Sequence, residues 1–303
     1  MYDATLIITT KNRKDELRNA LRSTLEQEGL RLEVIVIDDG STDGTADMVR
    51  GEFPGVRLER FEQSRGLIVQ RNHAAKIASA PIIFSIDDDC LFTEKTILAD
   101  ALRDFDHPQI GAVTVPHSNI NKENRIKNRA PSAQEPWAIS TYVGCAHAVR
   151  RDVFLKLGGY REVFFHQGEE SDYCARLLAA GYIVRMGRAG VIHHLQSPKR
   201  DSERQVVYNA RNQLLFGWFN VPLPSLPYFL ARTAASLLGY GLRHGYLIWT
   251  LRGLVRGFCG GVRLLKLRAP LTRKQFGLYW ELRRGGPKPL STLADRLDPL
   301  PNR

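Results

Sequence analysis

Pro81-Ile82-Ile83-Phe84-Ser85-Ile86-Asp87-Asp88-Asp89-Cys90 joins an apolar run of strand length directly to three consecutive carboxylates. A proline is tolerated at the first residue of a strand, and the apolar run suits a strand covered on both faces. Ligands of open α/β sheets bind just beyond the carboxyl ends of such strands. Three adjacent aspartates repel one another, so ionising all three calls for compensation. A hard divalent cation, with carboxylate and phosphate oxygens as ligands, would supply it. Taken alone the triplet also reads as a solvated acidic turn, and the rest of the chain has to decide.

Outward from this stretch, strands and helices alternate. Residues 3–10 read as a first strand, and Asn12-Arg13-Lys14-Asp15 opens a helix in which Leu17, Ala20, Leu21 and Leu25 recur at helical spacing. Residues 33–37 form a second strand that also ends in acid, at Asp38-Asp39, before a Gly40-Ser41-Thr42-Asp43-Gly44-Thr45 turn with capping residues. A short strand over 56–61, a helix over 66–79, the strand at 82–86, a helix over 93–105 and a strand over 110–115 follow. Such alternation predicts an α/β fold: a largely parallel sheet with helices on both faces. Residues 116–137 are polar, without a period, and read as a long mobile loop. Order resumes at 141–149, then a short helix closes at Gly158-Gly159. Glu169-Glu170-Ser171-Asp172 heads a further helix, where acids also suit the helix dipole. A strand over 182–186 and Val191-Ile192-His193-His194 end the domain.

Of 303 residues, 1–196 carry 25 Lys/Arg against 27 Asp/Glu, whereas 197–303 carry 18 against 5. The net charge of +11 therefore belongs to the tail and does not line a nucleic-acid groove; no nucleic-acid partner is expected. Cys90, Cys145, Cys174 and Cys259 lie far apart without metal-ligand spacing, which fits a reducing compartment. Met1 leads straight into a strand with no signal-like segment, so a cytoplasmic location is expected.

Five segments in order carry a resemblance. They are Ile7-Ile8-Thr9-Thr10-Lys11-Asn12-Arg13; Val36-Ile37-Asp38-Asp39-Gly40-Ser41-Thr42-Asp43-Gly44-Thr45; Gly66 with Arg71-Asn72; the Asp87-Asp88-Asp89 triplet; and Gly158-Gly159-Tyr160 through Gly168-Glu169-Glu170-Ser171-Asp172. Together they resemble the inverting family-two glycosyltransferases of the GT-A fold, of the rhamnosyltransferase-like, bacterial cell-surface polysaccharide type. The resemblance implies a divalent metal, Mn²⁺ or Mg²⁺, with Asp89 as direct ligand, Asp87 beside it and His194 as a further ligand from the end of the domain. It places Thr9, Thr10, Asn12, Arg13, Asp38, Asp39, Gly66, Arg71, Asp87 and Asp88 around a UDP-, dTDP- or GDP-linked sugar. Asp39 would read the base or ribose, although Asp before Gly-Ser-Thr also builds turns readily. Lys11 stands where the family commonly has an aromatic residue. An inverting transfer needs one general base; the match falls on Glu170, with Glu169 as the alternative and Asp172 as a nearby structural or contact residue.

The resemblance divides the chain into a catalytic domain, 1–200, and a helical basic region, 201–303. Within the former, 1–115 would bind the donor and 116–200 the acceptor, a lipid-linked or polysaccharide hydroxyl. No uncharged run in the tail is long enough to span a bilayer, since Arg232, Arg243, Arg252 and Arg256 interrupt it. On a helix, Arg252, Arg256, Arg263 and Lys266 fall opposite Leu247, Leu251, Leu254, Val255, Phe258, Val262 and Leu265. This is the pattern of an interfacial helix on an anionic membrane, here the inner face of the cell membrane. The alternative is that the apolar arc docks on the catalytic domain. Two rival functions remain: a sugar nucleotidyltransferase, which should show a glycine-rich loop after the first strand where Thr9-Thr10-Lys11-Asn12 has none, and a non-catalytic membrane-bound relative.

Overall fold

A computed structural model describes residues 1–123, 125–196 and 202–300. Strands β1 (Ala4–Thr10), β2 (Leu32–Asp38), β3 (Arg57–Arg60) and β4 (Ile82–Asp87) pair in parallel in the order β4-β1-β2-β3. Thr9 sits beside both Ile37 and Asp87, and Thr10 beside Asp38. The carboxyl ends of β1, β2 and β4 are thus level, and their polar residues emerge along one rim. Alternate residues face opposite ways. Leu6, Ile8, Val34, Val36, Phe84 and Ile86 pack on one side under α1 (Lys14–Leu25), α2 (Thr45–Glu52) and, further along the chain, a helix that begins at Ile97. Ile7, Ile35, Ile37 and Ile83 pack on the other under α3 (Leu67–Ile77). Truncating one of these fully buried isoleucines to alanine would cost about 2–5 kcal/mol.

Beyond β4 the chain departs from simple alternation. Cys90–Phe92 forms β5, followed by α4 (Ile97–Arg103), β6 (Ile110–Thr114), β7 (His117–Asn119), β8 (Ile126–Lys127) and β9 (Trp137–Ile139). The stretch expected as one mobile loop therefore holds three short strands. Two or three residues are too few to show a period, and their partners are distant: β7 pairs with β12 (Ile192–His194), which also pairs with β5. A small sheet, β5-β12-β7-β8, results. It hangs the last strand of the expected domain directly beside the aspartates, with His194 opposite Cys90.

Strand β10 (Ala146–Arg150) enters the main sheet antiparallel between β4 and β6, so the parallel order covers β4 to β3 while the remainder is mixed. Helices α5 (Arg151–Lys156) and α6 (Glu169–Ala179) and strand β11 (Ile183–Met186) follow.

The basic region is helical as expected: α7 (Ser202–Asn220), α8 (Leu226–His244), α9 (Leu247–Arg263) and α10 (Arg273–Gly285). The expected boundary at residue 200 lies outside the described residues. This region is built into the fold. Leu215 and Phe219 of α7 join the core under the second face of the sheet. Strand β13 (Lys288–Pro289) pairs with β9 as the last strand of the main sheet, and Leu278, Tyr279, Leu282, Leu290 and Leu293 pack beside Ile110 and Ile183.

Helix α9 docks on α7 through a third face, distinct from the basic and apolar arcs expected of it. Thr250, Gly253, Gly257 and Gly261 are its buried residues. A β-carbon on Gly253 would lie 2.5 Å from the Val207 carbonyl oxygen, and one on Gly257 2.7 Å from that of Arg211, so only glycine permits this approach. The apolar arc does not dock on the catalytic domain: Val255 is 62% exposed and Phe258 55%. Among the described residues no helix is long and apolar enough to cross a membrane.

Candidate active site

The loops after β1 and β2 are tied to each other before they touch anything else. Asn12, in a left-handed conformation (φ 53°), accepts the Thr42 N–H at 2.7 Å, and its own N–H donates to Ser41 Oγ at 2.9 Å. Asp38 accepts the Ser41 N–H at 2.8 Å and makes the turn. Asp39 accepts four hydrogen bonds, from Ser64 Oγ, the Arg65 and Gly66 N–H groups and Gln70 Nε2. Four donors fill a carboxylate's capacity. Asp39 thus pins the 64–66 loop, and an oxygen offered to a base or ribose, as expected of it, would be shared with these donors. Gly66 sits in that loop at φ 92°.

This framework aims Arg13 at the aspartate triplet, 2.8 Å from Asp88 and 2.8 Å from Asp89. Arg71, buried in α3, lies 2.7 Å from Asp87. Much of the compensation that the triplet demands thus comes from two arginines expected only as donor-binding residues. Thr10 Oγ1 donates to Asp88 at 2.8 Å, while Thr9 Oγ1 is buried without a hydrogen-bond partner among the described residues. Burial drives the Asp88 carboxyl up to about 7 despite Arg13 and Thr10. Asp89 is also penalised by burial, but His194 and Arg13 hold it well below the ordinary carboxylate range.

His194 Nε2 lies 3.2 Å from Asp89 and 3.8 Å from Asp87, and its Nδ1 is oriented by Asn119 at 3.0 Å. Burial alone would lower this imidazole; Asp89, Cys145 and Asp87 raise it instead, to about 10. The two carboxylates therefore favour positive charge at this position. One ligand atom from each of Asp87, Asp89 and His194 lies within 4.8 Å of the others. These three side chains are close enough together to share one divalent ion.

Across the cleft, Gly168 (φ 87°) starts α6 and presents the glutamate pair. Glu169 is 2% exposed, and its Oε1 is 3.6 Å from Arg71. Glu170 reaches the cleft, whose volume is about 570 Å³ and whose lining includes Arg71, Asp87, Glu169, Glu170 and His194. Burial raises both carboxyls, Glu170 adds to the shift of Glu169, and Arg71 opposes it. Asp172 does not line the cleft. Two residues past Glu170 it points about 200° around the helix, where Arg161 at 2.6 Å, Arg176 at 3.0 Å and Asn220 at 2.8 Å take its oxygens. Its part is structural. A larger open cleft of about 740 Å³ beside Arg129 and Arg188 contains none of these groups.

Gly144 belongs to none of the five motif segments, yet it borders the site. A β-carbon there would fall 2.5 Å from Glu170 Oε1 and 2.8 Å from Arg71 Nη1. Its signal in the sequence is that of an isolated glycine in a strand-like run, which marks a close approach.

A sheet whose level strand ends carry an aspartate cluster, facing a glutamate pair across one cleft, defines a glycosyltransferase of the GT-A class. Residues 5–158 match glycosyl transferase family 2, and the chain belongs to that family. It is 29% identical over 250 residues to the succinoglycan biosynthesis protein ExoU of Rhizobium meliloti, covering 71% of this chain and 70% of that one. Among solved structures, the mannosyltransferase PcManGT from Pyrobaculum calidifontis, in complex with GDP-Man and Mn²⁺, superposes with a TM-score of 0.60 at 22% identity, over 86% of this chain and 87% of that one. GalNAc-T7 with UDP, GalNAc and Mn²⁺ gives 0.57 at 14% identity, over 81% and 58%. These last two likenesses concern the fold.

Proposed function

We propose that the protein moves a sugar, with inversion, from a nucleotide-diphosphate donor to a hydroxyl of a lipid-linked or polysaccharide acceptor. The observation that carries this is the convergence of Asp87, His194 and Glu170 on one cleft, with Asp89 grouped beside Asp87 and His194. Asp87, Asp89 and His194 would hold Mn²⁺ or Mg²⁺, which supplies positive charge against the departing diphosphate. Glu170 takes the proton of the acceptor hydroxyl as that oxygen bonds to the anomeric carbon; the bond to the diphosphate breaks and its electron pair leaves with the diphosphate. Arg71 fixes Asp87 and Glu169 on either side of the transfer, and Arg13 fixes Asp88 and Asp89. An acceptor in cell-surface polysaccharide assembly agrees with the name of the succinoglycan relative. The exposed apolar arc of α9, flanked by Arg256, Arg263 and Lys266, suits peripheral attachment to the anionic inner face of the cell membrane.

A thermal-shift screen of UDP-, dTDP- and GDP-sugars, with and without Mn²⁺, tests the donor reading. A cognate donor at 100 times its Kd adds about 2.7 kcal/mol of stability, so one nucleotide should raise Tm strongly and only with metal. No metal-dependent rise with any donor would overturn the reading.

A further inference from the structure

Glu170 is shared by two cavities. One is the donor and metal cleft; the second, of about 210 Å³, adjoins it between α6, α7, α8 and α10 and shares Gln167 and Glu170 with it. The second cavity is lined by Gln167, Ser171, Asn209, Gln213, Phe229 and Arg283, among others. Amide groups, a hydroxyl and a guanidinium next to the Phe216 and Phe229 rings match the alternating hydroxyl and C–H faces of a pyranose. Its size suits a single ring and falls below that of drug-sized ligand pockets. The Phe229 ring is seated there because Gly217 of α7 has no side chain: a β-carbon would meet it at 2.8 Å.

The edge shared by the cavities is held from the C-terminal side. Asn212 Nδ2 lies 2.9 Å from the Phe164 carbonyl, 2.8 Å from that of His166 and 2.6 Å from that of Gln167. It therefore clamps the segment in which Phe165 and Gln167 have positive φ and which delivers Gly168 and the glutamates. In an inverting displacement the acceptor oxygen approaches opposite the departing diphosphate, with the base beside it. Gln167 and Glu170 edge both cavities, so a hydroxyl carried by a ring in the second would meet the base where that cavity borders the donor cleft.

On the strength of the donor reading above, we infer that this second cavity is the acceptor subsite, binding one sugar ring of a saccharide acceptor. The helices after residue 201 thus form half of the active site as well as its outer surface. Asn209 and Gln213 hydrogen-bond ring hydroxyls, Phe229 covers the apolar ring face and Arg283 closes the mouth.

Saturation-transfer NMR on the full chain, with methyl glycosides of glucose, galactose, mannose and N-acetylglucosamine in the presence of Mn²⁺ and the nucleoside diphosphate, tests this. At least one glycoside should bind through its ring protons. Asn209→Ala with Gln213→Ala should weaken it about tenfold or more, as two lost hydrogen bonds imply. Phe229→Leu should weaken it with the fold kept, as reported by circular dichroism. Calorimetric affinity for the nucleotide with Mn²⁺ should stay within about twofold in all variants. No glycoside binding to the parent chain, or binding undiminished in the variants, overturns the subsite while leaving the donor reading intact. Absence of nucleotide binding to the parent chain defeats the donor reading instead.

Discussion

The two ends of this molecule treat charge in opposite ways. Around the sheet rim, arginines are turned inward against carboxylates: Arg13 on Asp88 and Asp89, Arg71 on Asp87 and Glu169, Arg161 and Arg176 on Asp172, Arg185 on Asp104. In α9, Arg252 reaches Glu203 of α7, but Arg256 and Arg263, and Lys266 in the turn after the helix, are exposed and have no carboxylate partner among the described residues. Leu251, Val255, Phe258 and Val262 are exposed beside them. The rim uses its cations to hold a reactive geometry rigid, whereas the tail presents cations and apolar surface together to something outside. Each half makes a separate prediction, and each can fail without the other.

Glu170→Gln should have the largest effect. It removes the proton acceptor while preserving size, and should cut turnover by about 10²-fold or more with little change in donor affinity. Glu169→Gln should instead weaken the hold on Arg71, with a smaller loss. Burial raises the Glu170 carboxyl above its ordinary value of 4.5. Because the base works ionised, kcat/KM should rise with pH along an acid limb whose midpoint lies above that value. That limb should vanish in Glu170→Gln. If Glu169→Gln abolishes it instead, the base is one residue earlier and the rim's rigid half has been misassigned.

The tail prediction is next in size. Near an anionic surface each basic residue contributes about 1 kcal/mol, so neutralising three costs roughly 10²-fold in vesicle affinity. Arg256→Gln, Arg263→Gln and Lys266→Gln together should release the chain from phosphatidylglycerol vesicles in a sedimentation assay. Added salt should do the same more gradually, leaving the apolar contribution of Phe258 in place. Equal sedimentation with neutral and anionic vesicles would break the comparison, since the cations would then have no outward role.

Much of the rim is legible in the amino-acid sequence. The apolar run of Leu6, Ile7 and Ile8 and the acid at the ends of β2 and β4 are local signals, and the family motifs lie on the rim in the expected order. Two kinds of feature are hidden. Strands β7 and β9 pair with β12 and β11, far along the chain, and the two-residue β8 pairs only with β7, so little in residues 116–137 announces them. The second kind is a glycine's neighbour. Gly144, Gly253 and Gly257 read as weak helix or strand residues, and only the approach of Glu170, Val207 and Arg211 shows what they permit. Likewise Asp39 beside Gly40-Ser41 fits a turn and a ligand contact equally well in sequence; its four donors come from residues 64–70, which spacing does not disclose.

The smallest prediction concerns a buried chain of rings in the catalytic half whose polar atoms satisfy one another. His147 of β10 is buried and stacks on Tyr142, with ring centroids 4.0 Å apart. Its Nδ1 lies 3.1 Å from the Val143 carbonyl and its Nε2 3.0 Å from Tyr160 Oη, which in turn meets Tyr142 Oη at 2.8 Å. A neutral ring donating from Nδ1 and accepting at Nε2 satisfies every member. Burial, then Arg71, lowers the imidazole from 6.5 to about 3. Below 6.5 the unfolded chain binds a proton that the folded chain refuses, so stability falls as pH drops from 6.5 toward 3, by at most about 1.4 kcal/mol per pH unit. Carboxylates titrate in the same range in any variant, and a difference in slope isolates the histidine. Urea unfolding of the parent and of His147→Gln should show the parent losing stability more steeply between pH 6.5 and 4.5, although the variant starts lower. Parallel slopes would mean that the ring already accepts a proton in the folded chain, and that this interior is less closed than its hydrogen bonds imply.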